Sequence, residues 1–426
     1  MSDSATSIGL LGYGTVGSSV DRLLRDRAED ITRVAGGPVT VRRALVRDAS
    51  RARPLAAPAG LLTEDFAAVR DDPAISVVAE VMGGIEPTRT YLLELFAAGK
   101  SVVSANKQLL ARHGEELFAA AERHRVQLRF EASVCAAIPV VKVLRESMIA
   151  SDVSGVLGIV NGTTNFILSA MAAGQDYAAA LARAQELGYA EADPTEDVNG
   201  ADAAAKIAIL ASIAFHTRVT IDDVPFDGIE SLEAVDAAFA QELGYKIKLI
   251  GSAQRLPTGV AASVHPTLVP TSHPLAGVEG SFNAVMLRGS AIREITLVGP
   301  GAGGDETASA VIGDVMSVLG TTGTGFFQND GYFRQLPVVP ESAVPSAFYL
   351  RLDVLDQPGV LAQISRVLAD VDVSIESVIQ RAADGRAQLV VTTHPAPEGR
   401  FFEAVDQIRA LGVTSAEPRV LRALAR

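Results

Sequence analysis

Cysteine occurs once, as Cys135, which excludes an intrachain disulfide framework or a multi-cysteine metal centre and fits a reducing compartment. The histidines His113, His124, His216, His265, His273 and His394 lie far apart, with no pair at zinc-helix spacing, so a transition-metal site has no sequence support. Long apolar runs are missing as well. The longest, Ala203 to Phe215, is interrupted by Lys206 and falls short of the ~20 residues that a bilayer span requires. Met1 to Ser7 is polar, so no leader peptide and no membrane association are expected, and the cytoplasm is the expected location. Basic residues are in deficit: 37 Lys and Arg against 50 Asp and Glu give a net charge of −13, which disfavours nucleic acid and leaves small molecules as the expected ligands.

What is present is a long chain of ordinary globular composition. With 426 residues, 48% apolar and 20% charged, it exceeds one compact core and predicts two or three folded domains. Short apolar strands at Ile8 to Leu11, Val39 to Val46, Ile75 to Val81 and Ser101 to Ser104 alternate with helical segments, including Pro87 to Ala98 and Gln108 to His124. That alternation predicts a Rossmann-type parallel sheet covered by helices on both faces. After about Phe130 come longer helices, mixed strands and an acidic loop, Tyr189 to Asn199, which reads as an α+β substrate domain.

A glycine-rich passage, Gly299 to Asp305, opens a further helix that returns to the first domain, and Pro337, Pro340 and Pro345 punctuate a linker. From Phe348, the alternation of Phe348, Leu350, Leu352 and Val354 with Tyr349, Arg351 and Asp353 predicts a half-buried strand. Asp356-Gln-Pro-Gly359 then starts a helix, and the remaining pattern completes a ferredoxin-like βαββαβ module. The expected boundaries are a dinucleotide-binding domain over 1–133 with 305–330 returning to it, a catalytic domain over 134–304, a linker over 331–345 and the terminal module over 346–426.

Gly12-Tyr13-Gly14-Thr15-Val16-Gly17 is Gly-x-Gly-x-x-Gly between a strand and a helix, where unpaired N–H groups and the positive helix end receive a pyrophosphate. Arg47, at the end of the second strand, favours the 2′-phosphate of NADP, while the adjacent Asp48 is compatible with NAD.

Asp202 and Lys206 stand four residues apart on a helix and share a face. A surface ion pair is the plain reading, but the neighbours of Lys206 are apolar nearly all round, which predicts a buried lysine. Burial disfavours an ammonium, so such a lysine can exchange a proton with an alcohol or carbonyl oxygen. Lys107 follows the strand Ser101 to Ser104 and sits where open α/β sheets place ligands. Glu191, Asp193, Glu196 and Asp197, with Asp202, would attract an ammonium group.

These segments together resemble homoserine dehydrogenase over nearly the whole chain. The likeness rests on the glycine loop, Ser104-Ala-Asn-Lys107, Glu131-Ala-Ser-Val-Cys-Ala-Ala-Ile-Pro139, Asn161-Gly-Thr-Thr-Asn165, Gly188 through Asp202, Lys206 and Gly301-Ala-Gly303. The resemblance implies reversible hydride transfer between NAD(P) and L-homoserine or L-aspartate 4-semialdehyde, in threonine and methionine biosynthesis. It implies that Lys206 moves the proton, that Glu191 and Asp202 bind substrate, and that Lys107 contacts substrate or cofactor. Tyr13, Gly14, Thr15, Val16, Gly188 and Gly303 would then lie along the cofactor. Glu131, Val134, Ala136 and Ile138 match positions that hold a monovalent cation, sodium or potassium, through one carboxylate and three carbonyls. The terminal module resembles an ACT domain: Gly359 would let an effector carboxylate approach the helix start, Asp356 would cap that helix, and the implied effector is L-threonine. A homo-oligomer, dimer or tetramer, is expected. A non-catalytic nucleotide and amino-acid sensor, or a related semialdehyde or imine reductase, are the competing functions.

Overall fold

The structure is a computed structural model describing residues 6–53, 55–320, 336–383 and 386–424. Part of the expected returning segment, 321–330, and part of the expected linker, 331–335, lie outside the described residues. The chain forms two compact units, one of Met1–Val156, Ala205–Asp223 and Asn283–Leu336, the other of Leu157–Ala204, Val224–Phe282 and Pro337–Arg426.

The first unit is built on six parallel strands, β1 (Thr6–Leu11), β2 (Val39–Leu45), β3 (Leu62–Thr63), β4 (Ile75–Glu80), β5 (Ser101–Ser104) and β6 (Leu128–Arg129). They lie in the order β3-β2-β1-β4-β5-β6, so the chain reverses its direction of winding between β1 and β4. Ile8, Leu10 and Leu11 are fully buried, as the unbroken apolar run of a parallel strand requires. The helix Thr15–Asp26 covers one face, and the helix Gly304–Gly320 packs into the same core through Ala308, Val311, Val315 and Val318. Those four recur at helical spacing and form one apolar stripe. A second helix, Ala28–Ala35, was not expected; none of its residues is fully buried, and Ile31 and Ala35 are only partly buried where they pack against this core.

In the second unit the strands Tyr245–Leu256 and Gly259–Pro270 pair antiparallel along their whole length. The terminal module has the expected βαββαβ order, its strands lying as Arg419–Ala423, Pro345–Leu355, Arg386–Thr393 and Ile375–Ala383. Phe348 and Phe401 stack at 3.8 Å in its core. Its last strand also pairs in parallel with Gly259–Pro270, Arg422 opposite Thr267 and Ala423 opposite Leu268, so the module extends the sheet.

Two expectations are corrected here. The strand Pro345–Leu355 is buried on both faces: Tyr349 is 0% and Arg351 6% exposed. The polar face is covered because Arg351 Nε donates to the fully buried Asp236 at 2.8 Å and Tyr349 Oη to the same carboxylate at 3.3 Å. Asp356 is exposed and does not cap the helix Val360–Asp370; the capping position is Gly359 at φ 92°, with no side-chain capping bond.

Candidate active site

At the carboxyl ends of β1 and β4, where open sheets of this kind receive ligands, the loop Gly12 to Gly17 leads into the helix Thr15–Asp26. Gly12 adopts φ 103°, and a Cβ on Gly17 would stand 2.2 Å from the Gly12 carbonyl oxygen, so both glycines are needed to close the turn. A Cβ on Gly14 would meet nothing within 4 Å. The helix start carries no side-chain capping bond, which leaves its N–H groups available for an anion. Tyr13 is only 2% exposed, and its hydroxyl donates to Asp21 at 2.6 Å. Burial, then Asp21, raise its pKa. Gly303 adopts φ 138°, just ahead of the helix Gly304–Gly320.

The ends of β4 and β5 are tied together by a residue that the sequence reading passed over. Glu80 is fully buried, accepts the Ser104 hydroxyl at 2.6 Å and takes the backbone N–H groups of Met82 and Gly83 at 2.9 and 3.0 Å. Burial raises its pKa, against the pull of these donors. Asn106 donates to the Gly84 carbonyl at 2.7 Å and accepts Leu109 N at 3.1 Å, capping the helix Lys107–Arg123. Lys107 is thus the first residue of that helix, half-buried beyond the end of β5. The only hint of Glu80 in the sequence is a carboxylate inside an otherwise apolar strand.

Arg47 and Asp48 lie exposed just past β2. Asp48 accepts the Ser50 hydroxyl at 2.6 Å and the Ser50 N–H at 2.8 Å, bonds that hold its carboxyl below the usual range. Its carboxylate is engaged by its own turn.

In the second unit the Asn161-Gly-Thr-Thr-Asn165 stretch starts the helix Gly162–Ala172. Asn161 Oδ1 accepts Thr164 N at 2.9 Å, which leaves the amide nitrogen to donate to Asp197 Oδ1 at 2.7 Å and Asp202 Oδ2 at 2.9 Å. Thr163 Oγ1 lies 2.6 Å from the Tyr189 carbonyl oxygen and 3.1 Å from Asp197 Oδ2. Of the acidic residues grouped by sequence, these bonds join Asp197 and Asp202. Asp193 caps its own turn through Thr195 at 2.6 Å, and Glu191 is exposed, its carbonyl accepting Gln185 Nε2 at 3.1 Å. Gly188, at φ 76°, stands just before this acidic stretch. Asn161, Thr163 and Asp197 belonged to matched segments, but spacing alone gave no sign that one amide bridges two carboxylates.

Asp202 and Lys206 both lie on the helix Ala201–Phe215, one turn apart, and are 3% and 8% exposed. The burial inferred for Lys206 from its apolar neighbours is therefore observed, with Ala203, Ala204, Ala205, Ile207 and Leu210 at 0–1%.

Glu131 is 3% exposed and accepts Val141 N and Lys142 N, each at 2.8 Å. Burial, with the Asp314 carboxylate nearby, pushes its pKa up to about 7. Val134, Ala136 and Ile138 are buried, and the backbone is left-handed at two consecutive residues, Cys135 at φ 56° and Ala136 at φ 38°. Such strain in non-glycine residues persists where surrounding structure enforces it. Cys135 is buried outside any disulfide, its sulfur 3.5 Å from the Asn283 amide nitrogen. Among the described residues no group of three or more His, Cys, Asp or Glu side chains is placed to hold a metal, so an ion here would rest largely on backbone oxygens.

Comparison with known proteins adds family models for the homoserine dehydrogenase NAD-binding domain over residues 12–131, for homoserine dehydrogenase over 139–316 and for the ACT domain over 348–413. The homoserine dehydrogenase of Corynebacterium glutamicum is 45% identical, over 98% of this chain and 96% of its own. The chain belongs to the homoserine dehydrogenase family. It is accordingly an NAD(P)-dependent oxidoreductase of amino-acid biosynthesis, carrying an ACT domain. The homoserine dehydrogenase of Bacillus subtilis is 40% identical over 96% of both chains. The crystal structure of the Thiobacillus denitrificans homoserine dehydrogenase superposes with a TM-score of 0.94 at 40% identity, covering 99% of this chain and 98% of that one.

Proposed function

We propose that this homoserine dehydrogenase uses Lys206 as the proton donor and acceptor at the substrate's terminal oxygen, with Asp202 beside it. Glu191 and Asp202 bind the amino acid, and Lys107 contacts substrate or cofactor. The observation that carries this reading is the burial of Asp202 and Lys206, one turn apart on a helix lined by apolar residues. A buried amine has a depressed affinity for its proton and can pass it to an alkoxide formed from the semialdehyde. The Asn161 amide fixes Asp197 and Asp202 side by side, a concentration of negative charge suited to a substrate ammonium.

The dinucleotide, when bound, supplies or accepts the hydride. Gly12, Tyr13, Gly14, Thr15, Val16 and Gly17 would cradle its pyrophosphate, with Gly188 and Gly303 along its length. The open space at Gly14 and the uncapped helix start fit that group. Arg47 selects NADP over NAD, supported by the engagement of the Asp48 carboxylate with Ser50. Glu131 and the carbonyls of Val134, Ala136 and Ile138 hold a monovalent cation, sodium or potassium. A buried carboxylate pushed up to about 7 and a left-handed turn at Cys135 and Ala136 support it. The domains are taken as 1–133 with 305–330, 134–304 and 346–426, joined by a linker at 331–345. The enzyme acts in the cytoplasm as a homo-oligomer, and its ACT domain takes L-threonine as feedback effector. No helix among the described residues is long and apolar enough to cross a membrane.

The test is NADPH-dependent turnover of L-aspartate 4-semialdehyde, and its reverse with L-homoserine, with and without L-threonine. Turnover that threonine depresses is the expected result. Binding of nucleotide and amino acid without turnover would make the chain a sensor.

A further inference from the structure

Lys248 is buried to 1% exposure on the strand Tyr245–Leu256, outside every segment assigned to the reaction so far. Its ammonium donates to the Val278 carbonyl at 2.6 Å and to Asn165 Oδ1 at 3.0 Å, with the Glu279 carboxylate at 3.7 Å. Burying an ammonium is expensive, and Glu279 is half in solvent, so the pair is a poor source of stability compared with a methionine filling the same slot. The expense is visible in the amine itself, which burial depresses to about 8. What the ammonium does provide is orientation. With Oδ1 held by Lys248, the Asn165 amide nitrogen donates to the carbonyls of Val278 and Phe282 at 3.2 and 3.1 Å. Asn165 is thereby locked on both sides.

Asn165 lies one helical turn after Asn161, and its N–H reaches the Asn161 carbonyl at 3.3 Å. Asn161 is the residue whose amide holds Asp197 and Asp202 at 2.7 and 2.9 Å. Hydrogen bonds of that length do not survive a displacement near 1 Å. We infer that Lys248 is a positioning residue for the substrate-binding carboxylates, acting through Asn165 and the first turn of the helix Gly162–Ala172. This rests on the reading that Asp197 and Asp202 face the substrate ammonium.

The test uses the full-length enzyme and three variants, Lys248→Met, Asn161→Ala and the double variant, read as KM for homoserine, kcat, NADPH Kd and Tm. Lys248→Met is expected to raise the homoserine KM about tenfold, the scale of other losses of a supporting residue, with NADPH Kd unchanged. The double variant should match Asn161→Ala alone, because both changes disable one fork. A lower Tm with an unchanged KM, or effects that add, would overturn the inference. An unchanged KM in Asn161→Ala would instead sink the carboxylate reading and the brace with it. If Lys248→Met does not fold, Asn165→Leu removes the same lock from the helix side under the same criteria.

Discussion

Asn161 Nδ2 lies 2.9 Å from Asp202 Oδ2, and Lys206 follows Asp202 by one turn of the same helix. A neutral amide thus orients one carboxylate without neutralising it, and a buried lysine stands next in line. On the proposed reading, charge recognition and proton transfer share one helix, Ala201–Phe215.

Lys206→Met tests the proton transfer. The substitution preserves volume in an apolar setting, so the fold should tolerate it. We expect kcat to fall by a factor on the order of 10² or more, the usual contribution of a positioned acid–base group, with a smaller change in homoserine KM. A kcat near that of the unaltered enzyme would remove Lys206 from the mechanism.

Arg47→Ser addresses cofactor choice. If Arg47 meets the 2′-phosphate, the variant should raise the KM for NADPH about tenfold, the loss of roughly one charge-assisted hydrogen bond, and leave that for NADH unchanged. Equal changes for both dinucleotides would assign Arg47 no part in discrimination.

His265 makes stability depend on pH. The imidazole is 3% exposed, with Nδ1 2.8 Å from Asp227 Oδ2 and Nε2 bonded to Glu341, while Arg422 pairs with Glu341 at 3.0 Å and with Asp227 at 3.6 Å. Burial opposes the imidazolium, but the two carboxylates outweigh burial and Arg422 and raise its pKa. A raised folded-state pKa gives stability that is complete below the unfolded value of 6.5 and is lost as pH rises through the folded value. Thermal midpoints should therefore decline above pH 6.5, and His265→Gln should flatten that decline. An identical pH slope in the variant would show that His265 does not carry it.

Much of this was legible in the sequence because it is local. The glycine loop, the strand-helix alternation and the apolar surroundings of Lys206 are patterns within a few residues of one another, and each reappears in the structure. What was not legible is long-range pairing of polar groups. Asn161 meets Asp202 across 41 residues, and Arg351 meets Asp236 across 115. No periodicity records such partners. The strand at Phe348 illustrates the limit: its alternation is genuine, but its polar face is covered by another segment, so the period of two did not mean half-exposed. Asp356 failed as a cap for a local reason, since the left-handed Gly359 starts the helix without a side-chain acceptor.

The parallel pairing of Arg422 and Ala423 with Thr267 and Leu268 bears on whether the terminal module can be shed without cost to the rest of the chain. Excising the terminal module would bare the sheet edge at Thr267 and Leu268 and strand Asp236 as an uncompensated anion, the latter a defect of about 3–5 kcal/mol. If the proposed threonine control holds, descendants that escape it should keep the module and alter it by point substitution.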